Sequence, residues 1–290
     1  MKAKKIFMPL FIASLMFITM IQDVMAVTAS EYAVVINLSG RQRMLTQKMS
    51  KEMLLIAKGI DVEANKKSLK ETADLFDKTL KGLRDGDASV GLPATESAVT
   101  IKQLDKVADL WGSFKKHVDA VLAGSAVPVD KIAAENLPLL KNMNTAVRLY
   151  EKAAKKDTGK SAGVVINLAG KQRMLTQKMS KEMLLIALGH NVDENKTNLR
   201  GTASLFDRTL KGLRDGDADL ELPGTKDAAI VAQLDKVGGL WKDFHPLMEA
   251  AGDVASKEVS MDSLNKMAAS NLPLLKEMNA AVKMYEKAEQ

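Results

Sequence analysis

Apolar residues recur every three or four positions along the whole chain, and no segment of any length alternates with a period of two. In the first half of the chain this spacing defines four separate stripes, each of which predicts one amphipathic helix. The stripes are Val35, Leu38, Leu45, Met49, Met53 and Ile56; Leu69, Ala73, Phe76, Leu80 and Leu83; Leu104, Val107, Leu110 or Trp111, Phe114, Val118 and Val121; and Leu140, Met143, Val147 and Tyr150.

The segments between the stripes are short and carry helix-breaking residues. Asp85-Gly86 predicts the end of the second helix, and Leu92-Pro93 predicts the start of the third. Four helices with short connections form an up-down four-helix bundle.

The chain contains this pattern twice. INLSGRQRMLTQKMSKEMLLIA (36–57) returns as INLAGKQRMLTQKMSKEMLLIA (166–187), and FDKTLKGLRDGDA (76–88) returns as FDRTLKGLRDGDA (206–218). The offset of 130 becomes 135 after Trp241, so repeat two holds five extra residues before Asn271, which predicts a longer loop. We expect an all-α protein of two tandem up-down four-helix bundles, over residues 27–156 and 161–290, joined by KKDTGKSAG (155–163).

Residues 1–26 form a separate segment. A basic start, MKAKK, precedes the apolar run IFMPLFIASLMFITMI and small residues at Val24 and Ala26, as in a cleaved secretory signal peptide. An uncleaved membrane anchor is the alternative, although the run is short for a span. This segment predicts a periplasmic protein.

Composition narrows the possible functions. Without residues 1–26, which hold three lysines and one aspartate, the formal net charge falls from +6 to +4, spread over helical faces, and aromatics are only 4%. A nucleic-acid partner is therefore not expected. There is no Cys, no phosphate-binding loop and no Ser/His/Asp grouping, so we expect neither an enzyme nor a cofactor.

Three weaker signals have simpler interpretations. Methionines on the first stripe could indicate copper, but they are ordinary core residues. Asp85-Gly86-Asp87 lacks the ligand loop of a calcium site. The unmatched histidines 117, 190 and 245 are expected to be structural or at the surface, and Trp111 and Trp241 in the core.

The first helix has a second face, about 150° from its apolar stripe at 100° per residue. Its centre is polar, its ends are apolar, and one position is small enough for another helix to approach closely. The face comprises Ile36, Gly40, Arg43, Gln47, Ser50 and Leu54, and again Ile166, Gly170, Arg173, Gln177, Ser180 and Leu184. This composition predicts a helix–helix interface in which Arg43 is half-buried and needs an acceptor.

Two such faces related by a two-fold axis would bring two guanidinium groups together. A small planar anion between them would accept paired, charge-assisted hydrogen bonds from both. The alternative is that Arg43 and Arg173 are solvated charges or pair with a nearby glutamate.

The motif Asn37-Leu38-x-Gly40-x-Gln42-Arg43-Met44-Leu45-x-Gln47 resembles the N-terminal domain of type IV pilus methyl-accepting chemotaxis transducers, the PilJ-like module. That module is similar to the periplasmic domain of nitrate/nitrite sensor kinases. There, the resemblance implies, nitrate lies between the first helices of two subunits, held by a motif arginine from each. This role falls on Arg43 and Arg173. Basic Arg41 and Lys171 depart from the kinase motif and leave the identity of the anion open.

The candidate ligand-binding residues are Arg43, Arg173, Gly40, Gly170, Gln47 and Gln177. We expect a periplasmic protein that binds or senses a small oxyanion, nitrate or nitrite. Since the chain ends at Gln290, soon after the last helix, it is expected to act through a membrane-bound signalling or transport partner. The alternative is a structural or adaptor bundle of pilus, chemotaxis or envelope assemblies, without ligand binding.

The duplication leads to a hypothesis about how the two repeats form the binding site. If each unit supplies half of a site, covalent linkage provides the second half at high effective concentration. We expect the first helices of the two repeats to face each other within one chain, as an intrachain pseudo-dimer. The alternative is a homodimer in which each repeat pairs with its twin in a second chain.

Overall fold

The computed structural model describes residues 27–159 and 162–288. The predicted signal peptide lies outside these residues. The described residues form eight long helices: α1 (Ala29–Ala57), α2 (Val62–Asp85), α3 (Ala98–Leu122), α4 (Val129–Thr158), α5 (Ala162–Ala187), α6 (Val192–Asp215), α7 (Ala228–Gly252) and α8 (Met261–Ala288). Short 3₁₀ turns at Ala88–Val90 and Ala218–Leu220 follow α2 and α6.

The helices pack as two four-helix groups, which confirms the predicted fold class. In the first group α1 packs against α2 and α4, and α3 closes the bundle against the same two neighbours. Helices α5–α8 repeat this arrangement. Each interior is filled by the predicted stripes, and Trp111 and Trp241 are both buried, as expected for core residues.

Helices α1 and α5 also pack against each other, and this contact joins the two bundles. Gly163 of α5 approaches the Cδ1 atom of Ile36, and Lys58 of α1 reaches the carbonyl of Ala187 at 3.5 Å. Because both ends of the contact keep nearly the same offset in sequence, the two helices run parallel and in register. They are related by a pseudo-two-fold axis along their common direction.

This packing explains why the repeated helix is so closely copied. Helix α1 contacts α2, α4 and α5, so it has little solvent face, and even its polar residues are buried; α5 has the corresponding neighbours. A helix that is surrounded in this way shows weak amphipathicity, and every face of it is constrained by a neighbour.

The expected helix boundaries are partly right. Helix α2 ends at Asp85, and Gly86 follows with φ 88°, as predicted. Pro93 does not start α3, because Thr95 donates from its hydroxyl to the carbonyl of Leu83 and holds this loop against the end of α2. The helix begins instead at Ala98, where Ser97 provides the N-cap.

The five extra residues of repeat two are only partly a longer loop. The connection 253–260 has eight residues, where 123–128 has six. Helix α8 begins ten residues before Asn271, whereas α4 begins seven before Asn136. The remaining three residues therefore extend the start of α8.

Candidate functional site

Arg43 and Arg173 lie side by side at the α1–α5 contact. The Nη2 atom of Arg43 is 3.3 Å and that of Arg173 is 3.9 Å from the point that a Cβ on Gly40 would occupy. At Gly170 the corresponding distances are 3.2 Å to Arg173 and 4.0 Å to Arg43. The two glycines leave the space that both guanidinium groups fill.

Both arginines are more deeply buried than the sequence predicted. Arg43 was expected to be half-buried, but it and Arg173 are each 1% exposed. The expectation was wrong because a helical wheel shows one neighbouring helix and not the next. Helix α4 also covers Arg43, which donates from Nη1 to Asn144, and α8 covers Arg173, which donates from Nη1 to Asn279.

The guanidinium groups bind across the pseudo-two-fold axis. Arg43 donates from Nη2 to the side-chain and backbone oxygens of Asn167, at 2.6 and 3.2 Å. Arg173 donates in the same way to Asn37, at 2.8 and 3.1 Å. All these acceptors are neutral amide oxygens, so the described residues bring two positive charges together without a directly bonded carboxylate.

Part of the donor capacity stays unused. The Nε atoms of both arginines are buried and have no hydrogen-bond partner among the described residues. A buried donor without an acceptor costs free energy, on the order of 1–3 kcal/mol, and calls for an explanation. A guanidinium has five N–H groups in a planar fork that matches an oxyanion.

Burial and mutual repulsion act on the pKa values of these groups. Burial lowers the pKa of Arg43 to about 10, although nearby Glu151 opposes the change. Burial, followed by the charges of Arg41 and Arg43, lowers the pKa of Arg173 to about 9. Both side chains therefore stay protonated at neutral pH.

Basic groups outnumber acidic groups around the pair. Burial, with help from Arg43 and Arg148, lowers the pKa of Lys171. The carboxylates act one step away, through the asparagines: Asn167 donates to Glu151 at 2.9 Å, and Asn37 donates to Glu286. This local field favours an anion.

Gln47 and Gln177 lie in a second polar layer, one helical turn beyond the arginines. Gln47 donates to Asn136 at 2.8 Å, and Lys181 of the other unit donates to the same oxygen at 3.1 Å. At the position related by the pseudo-two-fold axis, Gln177 and Lys51 donate to Asn271, at 2.9 and 2.8 Å. Neither glutamine bonds to a guanidinium group, so the structure separates them from the other four predicted site residues.

Sequence reasoning missed the asparagines that organise both layers. Asn37 and Asn167 stand within the repeated first-helix motif, but they received no role. Asn136 and Asn271 are the first residues of the repeated NLPLLK segment, and both are fully buried. A polar residue retained in both copies beside apolar residues was the available signal.

A surface cleft shares residues with this site. An open cleft of about 450 Å³ lies between the end of α4, the start of α5 and the 3₁₀ turn 218–220. Asn167 and Glu151 are in its wall, together with the basic side chains of Arg148, Lys152 and Lys155.

Fold and site together define a tandem four-helix protein with a basic pair buried where its two bundles meet. The family model for the N-terminal domain of type IV pili methyl-accepting chemotaxis transducers, PilJ, matches residues 26–136 and again 157–267. The chain belongs to this family and holds two tandem copies of its domain.

Two proteins of Pseudomonas aeruginosa PAO1 are similar to this chain. Protein PilJ is 27% identical over 253 residues, which covers 79% of this chain and 35% of that protein. Methyl-accepting chemotaxis protein McpN is 32% identical over 92 residues, 32% of this chain and 17% of its own length. The chain thus spans only about a third or less of these relatives. Each of the two copies is a PilJ-type, chemoreceptor-like sensory domain.

Proposed function

We propose that the chain binds a small planar oxyanion, nitrate or nitrite, between Arg43 and Arg173, and that each bundle contributes half of the site. The observation that carries the proposal is the pair of buried guanidinium groups, adjacent, charged, and each with an unpartnered Nε. An anion between them would accept from both and reduce their mutual repulsion.

The family supports a sensory role for this binding. The family is named for chemotaxis transducers, and the relative McpN is a methyl-accepting chemotaxis protein. We therefore propose that the protein reports the anion to a membrane-bound signalling or transport partner, that it works in the periplasm, and that it is not an enzyme. No helix in the described ranges 27–159 and 162–288 is long and apolar enough to cross a membrane.

A structural or adaptor function is the second candidate, and one observation favours it. Each guanidinium already has three hydrogen-bond contacts to asparagine oxygens. The helices α1 and α5 therefore pack together with protein acceptors on the Nη atoms and without a ligand. An anion must therefore exchange with some of these contacts or use the free Nε–H groups.

Thermal unfolding distinguishes the two functions. An anion that binds only the folded state adds about 2.7 kcal/mol at 100 times its dissociation constant, or several degrees in Tm. Nitrate and nitrite should raise Tm more than chloride and sulfate at equal ionic strength, and the difference should vanish in the double variant Arg43→Met, Arg173→Met. Equal shifts with all four anions would indicate screening of the charge pair and support the adaptor function.

A further inference from the structure

We propose that the anion reaches the arginine pair through the cleft beside α4 and α5, and that Asn167 is the positioning residue that must move to admit it. The proposal rests on the proposed function, because it concerns access to the same site. It assigns the two pseudo-symmetric sides of the site different roles.

The first step is the continuity between cleft and site. Asn167 lies in the cleft wall, and its two oxygens are the acceptors for Nη2 of Arg43. Arg43 itself is 1% exposed, so a solute cannot meet it while this side chain stays in place. Rotation of the Asn167 side chain into the cleft would release one donor of Arg43 and open a path to it.

The second step concerns what holds Asn167. Its amide donates to Glu151 at 2.9 Å, and that carboxylate also lies in the cleft wall. The bond fixes the orientation in which the amide oxygen points towards Arg43. An arriving anion competes with Asn167 for the guanidinium, while Glu151 and the cleft can accommodate the displaced amide.

The third step is the charge at the rim. Arg148, Lys152 and Lys155 line the cleft. Basic side chains beside the path of an anion attract it and speed its association. Glu151, Asp219 and Glu221 also line the cleft, so its charges balance overall and the attraction is confined to the positions next to the three basic side chains.

The fourth step is the asymmetry between the repeats. The cleft is walled by Asp219-Leu220-Glu221, whereas the matching positions beside Asn37 are Ser89-Val90-Gly91. The site is symmetric at the arginines but not at this turn. The acidic turn does not itself attract an anion, and the route is assigned to the Asn167 side because the cleft reaches the site there.

Matched charge reversals test the route. Lys152 of the cleft and Lys287 of α8 occupy equivalent positions, 135 apart, and both are exposed. Because the repeat places them equivalently relative to the arginine pair, Lys152→Glu and Lys287→Glu should weaken nitrate affinity by similar factors. Only Lys152→Glu should slow association, by roughly three- to five-fold.

Rates come from line-shape analysis of the arginine Nε–Hε signals during nitrate titration of the full chain, and affinities come from calorimetry. Equal slowing by both reversals, with wild-type binding intact, would overturn the route but leave the proposed function standing. Absence of saturable nitrate binding to the wild type would overturn both.

A second pair of variants tests Asn167 itself. Asn167→Ala should accelerate both association and dissociation several-fold, because the side chain that blocks Arg43 is gone. The pseudo-symmetric control Asn37→Ala removes the equivalent contact of Arg173 and should change affinity without faster association. Equal acceleration by both variants would show that neither side is the preferred path.

Discussion

Arg43 and Asn167 are 124 positions apart in the chain, yet two hydrogen bonds join them across the contact between the bundles. The contact of Arg173 with Asn37 repeats this geometry, so each bundle supplies the acceptor for the arginine of the other. Any ligand that reorganises these bonds changes how the two bundles hold each other. That coupling is the physical basis on which the site could report an anion.

The small size of Gly40 is expected to be required for binding. A Cβ there would lie 3.3 Å from Nη2 of Arg43, closer than ordinary contact, so Gly40→Ala should displace the Arg43 guanidinium and weaken nitrate binding about ten-fold, or about 1.4 kcal/mol. Calorimetry measures the loss.

Gly201→Ala is the matched control, because its Cβ would meet nothing within 4 Å on the exposed face of α6. It should leave binding unchanged and stabilise the fold by roughly 0.5–1 kcal/mol, through helix propensity and reduced freedom of the unfolded chain. Normal affinity in Gly40→Ala would show that the glycine is not needed for the guanidinium geometry.

The second polar layer should be important for stability. Asn136 accepts from Gln47 and Lys181 and donates to the carbonyl of Thr46, and all of these groups are buried. Asn136→Ala leaves the Lys181 ammonium without its acceptor and should cost about 2–4 kcal/mol in urea unfolding. Exposed Thr145→Ala on the same helix is the control, with an expected change within about 0.5 kcal/mol. A similarly small loss in Asn136→Ala would contradict the contribution assigned to this layer.

The buried lysines predict how stability depends on pH. Burial lowers the pKa of Lys51 and of Lys181 to about 8, below the ordinary value of 10.5. Between these values the unfolded chain binds more protons than the folded chain, so stability should rise with pH from about 8 upwards. The maximum slope is about 1.4 kcal/mol per pH unit for each lysine.

Urea midpoints at pH 8 and pH 9 measure this slope. Replacement of both lysines with methionine retains volume without charge and should flatten the profile over this interval, and it should not lower stability at pH 7. An unchanged slope in that variant would mean that other groups titrate in this range.

Helical periodicity was enough to predict the fold class. Amphipathic helices with short connections bury apolar stripes such as Leu69–Leu83 by packing against each other as a bundle. Local chemistry predicted the stop at Gly86 but misplaced the start of α3. Pro93 is compatible with a helix start, and only the tertiary bond of Thr95 to Leu83 shows why the helix is delayed. Boundaries of this kind depend on contacts that a single helix wheel does not contain.

The candidate site was predicted as a face rather than as a set of contacts. The second face of α1 identified Arg43 and Gly40, since a small residue, apolar ends and a central arginine are unusual together on a face exposed to solvent. The same wheel grouped Gln47 with them, although its side chain donates to Asn136 of α4 and makes no hydrogen bond with either arginine. The acceptor asparagines could not be assigned without the packing of α4 and α8. Anion binding by these residues remains a prediction.

The most direct test of the central claim is the stoichiometry of anion binding, measured by calorimetric titration of nitrate and nitrite into protein whose mass in solution is known from light scattering. We expect a monomer that binds one anion per chain, with binding abolished by Arg43→Met together with Arg173→Met while helical circular dichroism is retained. An obligate dimer that binds two anions, or normal binding by the double variant, would contradict it.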